Sequence, residues 1–173
     1  GRYTLTLSQH TPPTAGQPDK LPLHIPVAVG LLGPDGADLP LVLEGEAGPG
    51  DTTRVLELKE ASRRWTFTGL SAEPVPSVLR GFSAPVILDI AEGDARLAFR
   101  MAHDADPFNR WDAAQRYMER VILALAADAA AGRALEVPQA FGHAFRALLI
   151  NDSLDPAFVA ETLALPSEAY LLE

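Results

Sequence analysis

The chain has 173 residues, of which 47% are hydrophobic and 21% are charged, and it contains no cysteine. These proportions are typical of a globular protein, and the missing cysteines exclude disulfides, thiolate metal sites and cysteine nucleophiles. The formal net charge is −9, with only 14 Lys and Arg residues spread along the sequence. Binding to a phosphate backbone needs clustered positive charge, so the sequence predicts no nucleic-acid partner.

The sequence also predicts no membrane partner. Its longest continuous apolar run, Val121 to Ala127, is far shorter than the roughly 20 residues that a bilayer span requires. No basic-then-apolar signal segment opens the chain. Together with the absence of cysteine, these features favour a cytoplasmic protein.

Residues 1 to about 103 are predicted to form an antiparallel β-sandwich of up to eight short strands. Tyr3 to Ser8 and Leu23 to Leu32 alternate apolar and polar residues with the period of a strand. Pro26 lacks an N–H donor, which places the second strand at a sheet edge or turns Pro26 outward. The other predicted strands are Leu39–Leu43, Thr53–Leu58, Arg64–Phe67, Ser77–Phe82, Val86–Ile90 and Arg96–Met101. Turns rich in Pro and Gly separate them, as in a sandwich.

From Asp104 onward the apolar spacing becomes helical. Asp-Pro pairs and Ser are typical of helix starts, whereas Gly and Pro end helices. The predicted helices begin at Asp106-Pro107, at about Pro138, at Asp155-Pro156 and at Ser167, and the first three end at Gly132, near Asn151 and at Pro166. Residues 104–173 are therefore predicted to be the first few short helices of a truncated helical array.

These helices offer more apolar surface than they can cover among themselves, so another part of the protein, another molecule or self-association must cover the remainder. Both ends of the chain also suggest a piece of a longer protein. There is no initiator Met, a strand pattern is present by Tyr3, and the cap at Ser167 is followed by less than two helical turns before Glu173.

No metal site is predicted from the four histidines, His10, His24, His103 and His143, because none of them lies in a paired-ligand spacing. His24 alternates onto the polar face of a strand, and His143 precedes Phe145 on a helix. The densest polar cluster is His103-Asp104-Ala105-Asp106, which could bind a divalent cation. Asp106 is better explained as a helix cap, so a structural role is favoured.

No nucleophile site or phosphate cradle is predicted either. Gly81-Phe82-Ser83 lacks the second glycine and the strand-to-helix context of a nucleophile elbow. The glycine-rich stretch from Gly45 to Gly50 lacks a following Lys-Ser/Thr and is predicted to be a loop. The cluster Asn109-Arg110-Trp111-Asp112 is interpreted as a structural joint in which Trp111 anchors the helix on the sandwich while Arg110 and Asp112 pair with neighbours. The sequence thus predicts no catalytic, cofactor-binding or metal-binding residue.

Several segments, in order along the whole chain, resemble the bacterial aminopeptidase N family, zinc-dependent alanyl aminopeptidases of the gluzincin type. They are Tyr3-Thr-Leu-Thr-Leu-Ser-Gln, Leu21-Pro-Leu-His-Ile-Pro-Val-Ala-Val, Pro74-Val-Pro-Ser-Val-Leu-Arg-Gly-Phe-Ser-Ala-Pro-Val and Arg110-Trp-Asp-Ala-Ala-Gln, with weaker support from Phe145-Arg-Ala-Leu-Leu and Leu154-Asp-Pro-Ala. In that family a small sandwich domain follows the catalytic domain and precedes a large helical domain.

The resemblance implies that residues 1–103 are this immunoglobulin-like sandwich and that residues 104–173 are the start of the helical C-terminal domain. The family's zinc ligands in H-E-x-x-H and its substrate-binding G-A-M-E-N motif do not occur here. No catalytic or metal-binding residue is therefore carried over, and zinc is implied only for the longer protein. The implied partners are the catalytic domain and the rest of the helical domain.

The leading hypothesis is a non-catalytic spacer from an aminopeptidase that removes N-terminal amino acids from peptides. The first alternative is a free-standing sandwich that binds a protein or glycan through its loops or a strand edge. The second is a small hydrolase built around His103 and Asp104.

Overall fold

A computed structural model describes residues 1–48 and 50–172 of the chain. The chain divides into two compact units, residues 1–88 and residues 89 onward. The first unit is built from strands and the second from helices, and each is described here by itself. This order, an antiparallel β unit followed by short helices, confirms the predicted fold class.

The strands of the first unit form two antiparallel sheets. Strands β1 and β4 make a two-stranded sheet, and β2 lies between β3 and β5 in a three-stranded sheet. The bounds are β1 Arg2–Ser8, β2 Ile25–Leu32, β3 Arg54–Leu58, β4 Ser62–Thr68 and β5 Val75–Val78. A short 3₁₀ helix, Arg80–Phe82, follows β5 directly.

One apolar core lies between the two sheets. Leu5 on β1 is opposite Trp65 on β4, and both are buried in one cluster with Val29 and Leu31 of β2. Because successive residues of a strand point to opposite faces, this alternation gives each sheet one apolar face. The two faces pack together as a sandwich.

Three strand predictions in this unit are wrong or only partly right. The segment 39–43 makes one isolated bridge, between Leu43 and Phe67, rather than a strand. The predicted strand Ser77–Phe82 ends at Val78, because residue 79 takes left-handed backbone angles and a 3₁₀ turn begins. The segment Val86–Ile90 forms no strand and is largely exposed, so it has neither a pairing partner nor a face to bury.

Pro26 lies on a central strand, because β2 has β3 on one side and β5 on the other. The predicted edge position is therefore wrong for β2 as a whole. Pairing with β5 covers only Val29 to Leu32, so at Pro26 the strand has β3 as its one sheet neighbour. Pro26 is also exposed, which agrees with the outward orientation that was the alternative.

The second unit contains five helices among the described residues: α1 Asp94–His103, α2 Pro107–Ala130, α3 Gln139–Leu149, α4 Pro156–Leu163 and α5 Glu168–Leu171. The predicted caps are confirmed. Asp106 accepts the backbone N–H of Asn109 at 2.9 Å, and Ser167 accepts that of Tyr170 at 3.3 Å. Asp155 accepts from residues 157 and 158. None of these helices combines the length and the apolar composition that a membrane span needs.

Helix α1 replaces the predicted strand Arg96–Met101, and that prediction is wrong. Leu97 and Met101 are fully buried, whereas Phe99 between them is only partly so. Burial four residues apart is the spacing of one helix face. Because α1 packs on α2 and α3, it belongs to the helical unit, and the two units divide after Leu88 rather than at the expected boundary after His103.

Candidate functional site

The first unit encloses a charged cluster around Arg80. The guanidinium binds the carboxylate of Asp38 with two hydrogen bonds, of 2.8 and 2.6 Å. It also donates to Oγ of Ser77 at 2.9 Å and to Oγ1 of Thr53 at 3.0 Å. Residue 80 is 7% exposed. A buried arginine held by a bidentate carboxylate fixes geometry, so this cluster ties three separate segments of the sandwich together.

The backbone around Arg80 is left-handed at three positions. Leu79 has φ 62°, Gly81 has φ 62° and Phe82 has φ 53°. Only glycine adopts these angles without a steric cost, so Leu79 and Phe82 are held there by their surroundings. This local twist turns the chain out of strand β5 directly before Arg80.

The second unit encloses a larger charged cluster around Arg100 on α1. Arg100 donates to Glu92 Oε2 at 2.7 Å, to Asp104 Oδ2 at 3.2 Å and to the backbone carbonyl of Asn109 at 3.3 Å. The side chains of Arg100, Glu92 and Asp104 are at most 3% exposed. Burial lowers the pKa of Arg100, but the carboxylates of Glu92 and Asp104 outweigh it, so its pKa is raised overall. Arg100 is therefore a permanent cation that joins α1 to the segment before it and to α2.

Two arginines on the neighbouring helix α2 extend this cluster toward solvent. Arg116 donates to Glu92 Oε2 at 3.0 Å and to the backbone carbonyl of Ile90. Arg120 donates to the backbone carbonyl of Glu92 at 2.8 Å and to the carboxylate of Asp94 at 2.9 Å. The segment before α1 is thereby held along the side of α2.

Arg110 differs from these arginines. Its Nε and NH1 atoms are buried and have no hydrogen-bond partner, and the residue is 7% exposed. Burial lowers the pKa of Arg110, and the charge of Asp104 opposes this only in part. The expectation that Arg110 pairs with a neighbour is wrong for the part of the chain that the structure describes.

The other residues of the Asn109–Asp112 cluster behave more nearly as expected. Asp112 pairs with Arg116 at 3.6 Å, and Trp111 stacks at a tilt on Phe108, with ring centroids 5.7 Å apart. Anchoring of Trp111 on the sandwich stays a prediction.

The histidines are not brought together as ligands. His24 lies directly before β2 and contacts the carboxylate of Glu57 on β3 at 3.2 Å, with both side chains exposed. His103 packs beside the ring of Phe99 at the end of α1. His10 and His143 are both exposed. Across residues 1–48 and 50–172 there is no group of three or more His, Asp or Glu side chains placed to hold a metal ion.

The remaining candidates have structural roles. Ser83 accepts the backbone N–H of Ala28 at 2.9 Å, and so its hydroxyl bonds to the strand. Asp106 caps α2 as predicted. In the glycine-rich stretch, Glu46 forms a bidentate pair with Arg54, while Pro49 lies outside the described residues.

Sequence reasoning missed the buried charges Arg80, Glu92 and Arg100. A signal for Arg100 was available: it lies between Leu97 and Met101 with Asp104 four residues later, the spacing of a helical ion pair. Assigning this stretch to a strand hid that pattern. Arg80 carries no comparable local signal, because its main partner Asp38 lies 42 residues away.

Two family models match the chain, one over each of its two units. A model of the Ig-like fold described as a domain of unknown function, DUF3458, matches residues 1–91. The companion C-terminal model, described as ARM repeats, matches residues 94–173. The chain belongs to this family.

Relatives of this DUF3458 chain are aminopeptidases. Aminopeptidase N of Escherichia coli strain K12 is 40% identical over 166 residues, and that of Haemophilus influenzae is 33% identical over 171 residues. The matches cover 96% and 99% of the chain but 19% of each relative. Aminopeptidase N of Caulobacter vibrioides is 42% identical over 144 residues, or 15% of its length. These matches confirm the predicted resemblance to the aminopeptidase N family.

A solved aminopeptidase structure also resembles this chain. The crystal structure of Legionella pneumophila aminopeptidase A in complex with aspartic acid superposes with a TM-score of 0.72 at 26% identity. The match covers 99% of the DUF3458 chain and 17% of that protein. The chain thus spans less than a fifth of the length of these relatives.

Proposed function

We propose that this chain is a non-catalytic structural part of a longer aminopeptidase, in which it holds other domains in place. The supporting observation is that the relatives match almost the whole chain while the chain covers only 15–19% of their length. The buried guanidinium groups of Arg80 and Arg100 also bind carboxylates of this chain's own fold, which supports a structural role for both.

The longer protein is proposed to be a zinc-dependent peptidase of the cytoplasm. Zinc-peptidase chemistry uses three protein ligands and a water in the fourth position. The described residues of this chain do not fit that requirement, because they include no cluster of three donor side chains. The ligands are therefore assigned to the rest of the enzyme, and no catalytic step is derived for this chain.

The proposed partners are the catalytic domain and further helices of the ARM-like array. Repeats of this kind bury their apolar faces against the next repeat. Several large apolar side chains of the helical unit are more than 40% exposed, namely Leu123, Leu135, Val137, Leu149, Ile150, Leu165, Tyr170 and Leu172. Their exposure supports coverage by neighbouring helices in the longer protein.

An activity assay tests this proposal. The purified 173-residue chain is incubated with Zn²⁺ and a chromogenic alanyl substrate, beside the full-length protein prepared in the same way. We expect turnover by the full-length protein and none by the chain. Turnover by the chain that co-purifies with it through successive columns would overturn the structural assignment.

A further inference from the structure

An exposed run of apolar residues, 85–88, follows the 3₁₀ helix at the end of the sandwich unit. Val86, Ile87 and Leu88 are 41%, 99% and 40% exposed, and Pro85 is exposed as well. Single exposed apolar residues are common on protein surfaces, but a run of three or four is typical of a surface that contacts something else. The segment is therefore a candidate interaction surface.

The backbone of this segment is also open. Residues 86–90 have no regular secondary structure, and the N–H of Val86 bonds back to the carbonyl of Ala84 at 2.9 Å. Neither Ile87 nor Leu88 makes a hydrogen bond with any of residues 1–48 and 50–172. A partner that covers Ile87 removes these backbone groups from water, and buried backbone groups need hydrogen-bond partners.

We propose that segment 86–88 is an edge with which an extended strand from another part of the longer aminopeptidase pairs, an inference that rests on the proposed function. A strand supplies both donors and acceptors to the open backbone groups, whereas a helix uses its own groups internally and would leave them unpaired. The β-branched Val86 and Ile87 favour extended backbone. The additional chain exists in the relatives, because this region is 19% of the length of two of them.

The ends of the segment are fixed, each within its own unit. Upstream, Ala84 is buried, and Ser83 accepts the backbone N–H of Ala28 on β2 at 2.9 Å. Downstream, the carbonyl of Ile90 accepts a hydrogen bond from Arg116 at 3.1 Å. A segment with fixed ends loses less conformational freedom when it binds a partner, which favours docking at this position.

The side chains indicate what the partner strand carries. Ile87 is by far the most exposed of the three, so it offers the largest apolar area to a partner. Apolar cross-strand pairs stabilise a sheet, and we therefore expect an apolar residue opposite Ile87.

Amide hydrogen exchange gives the first test, with the isolated chain and the full-length protein compared by mass spectrometry with fragmentation to single residues. In the isolated chain the amides of Ile87 and Leu88 should exchange as fast as those of an unstructured peptide. In the full-length protein one of the two should exchange about 100-fold more slowly or slower still. The other should stay fast, because alternate N–H groups of a strand point to opposite sides.

Two results of this measurement would overturn the pairing. Fast exchange at both amides in the full-length protein would mean that the segment stays open there. Slow exchange at both would mean that the segment is covered in another way than by one strand at its edge.

Ile87→Ser gives the second test. In the isolated chain the substituted side chain is exposed, so the unfolding midpoint should stay within about 1 °C. In the full-length protein the midpoint of the transition that includes this region should fall by about 2 °C or more, because an apolar contact is lost. The matched control Ile87→Val keeps a β-branched apolar side chain and should lower that midpoint by less than roughly half as much. Equal shifts for Ile87→Ser in both proteins would contradict docking.

A second copy of the protein could pair with the same edge. Analytical ultracentrifugation of the full-length protein, with and without Ile87→Ser, separates this occupant from the proposed one. We expect the same oligomeric state for both, and a larger species that the substitution dissociates would assign the edge to a second copy and overturn the proposal. Failure of the proposed function appears separately, as peptidase turnover by the isolated chain, and does not depend on any Ile87 variant.

Discussion

Gly30 leaves the space that Arg80 fills. A Cβ atom at position 30 would lie 2.0 Å from Cζ of Arg80 and 2.3 Å from its NH1 atom. Gly30 lies on the central strand of the three-stranded sheet, opposite Ser77, which also accepts a hydrogen bond from Arg80. The buried arginine therefore lies directly against the backbone of the sheet, and any side chain at position 30 would displace it.

Gly30→Ala should strongly destabilise the sandwich unit. Displacing Arg80 leaves Asp38 without its cation in a site where the aspartate side chain is 18% exposed. We expect the free energy of unfolding to fall by about 3–5 kcal/mol, the usual cost of breaking a buried ion pair. Denaturant unfolding should be followed by Trp65 fluorescence in a Trp111→Phe background, because Trp65 is then the one remaining tryptophan. In an Arg80→Met background Gly30→Ala should cost much less, and equal costs in both backgrounds would contradict the steric explanation.

Gly142→Ala, in contrast, should stabilise the helical unit. Gly142 lies inside α3, and a Cβ atom there would meet nothing within 4 Å. Alanine lowers the conformational entropy of the unfolded chain, so we expect the free energy of unfolding to rise by about 0.5–1 kcal/mol. Circular dichroism of the helical transition measures this, and a loss of stability would show that the site is more crowded than its geometry indicates.

Two arginine–carboxylate pairs of the sandwich should contribute very differently to its free energy of unfolding. Arg80→Met breaks a buried pair and should cost about 3–5 kcal/mol. Arg54→Met breaks a bidentate pair with Glu46 whose side chains are 35% and 42% exposed, and it should destabilise the sandwich far less because water screens both charges. Denaturant midpoints of the two variants, measured side by side, decide this, and similar costs would refute the role assigned to burial.

The acid titration of Glu46 should report on Arg54. The hydrogen bond from Arg54 lowers the pKa of Glu46 below its ordinary value. The pair therefore adds stability above the unfolded-state pKa of this carboxyl, and the contribution is lost as pH falls through the lower folded-state pKa. NMR titration of the carboxyl carbon should show this pKa rising in Arg54→Met. Glu57, whose pKa is lowered mainly by Lys59, should titrate unchanged.

The capped starts of α2, α4 and α5 were predicted well because their signals are local. Asp106 and Asp155, each followed by Pro, begin helices where expected, and both side chains cap backbone amides. The strands of the sandwich were harder to predict, since pairing depends on distant residues. Alternation correctly predicted β1 and β2, and short segments between turns correctly marked β3 and β4. The same reading also marked 86–90, which finds no partner strand, and 96–101, although Leu97 lies on the buried face of α1.

The charged clusters could be predicted only in part. Arg100 and Asp104 are four residues apart, so a helix assignment would have paired them. Arg80 depends on Asp38 and on the empty space at Gly30, and nothing near Arg80 in the sequence indicates either. The missing acceptor at Arg110 is visible only when every neighbouring group has been placed.

The two hydrophobic clusters share no residue: one is built from Leu5 through Val78 and the other from Leu97 through Leu148. Unfolding by heat or urea therefore disrupts two apolar cores. A single unfolding midpoint describes the polypeptide only if both cores unfold together. Calorimetry should accordingly be fitted as a sum of two transitions. Trp65 lies in the sandwich and Trp111 in the helical unit, so the fluorescence of each tryptophan follows the unfolding of its own unit.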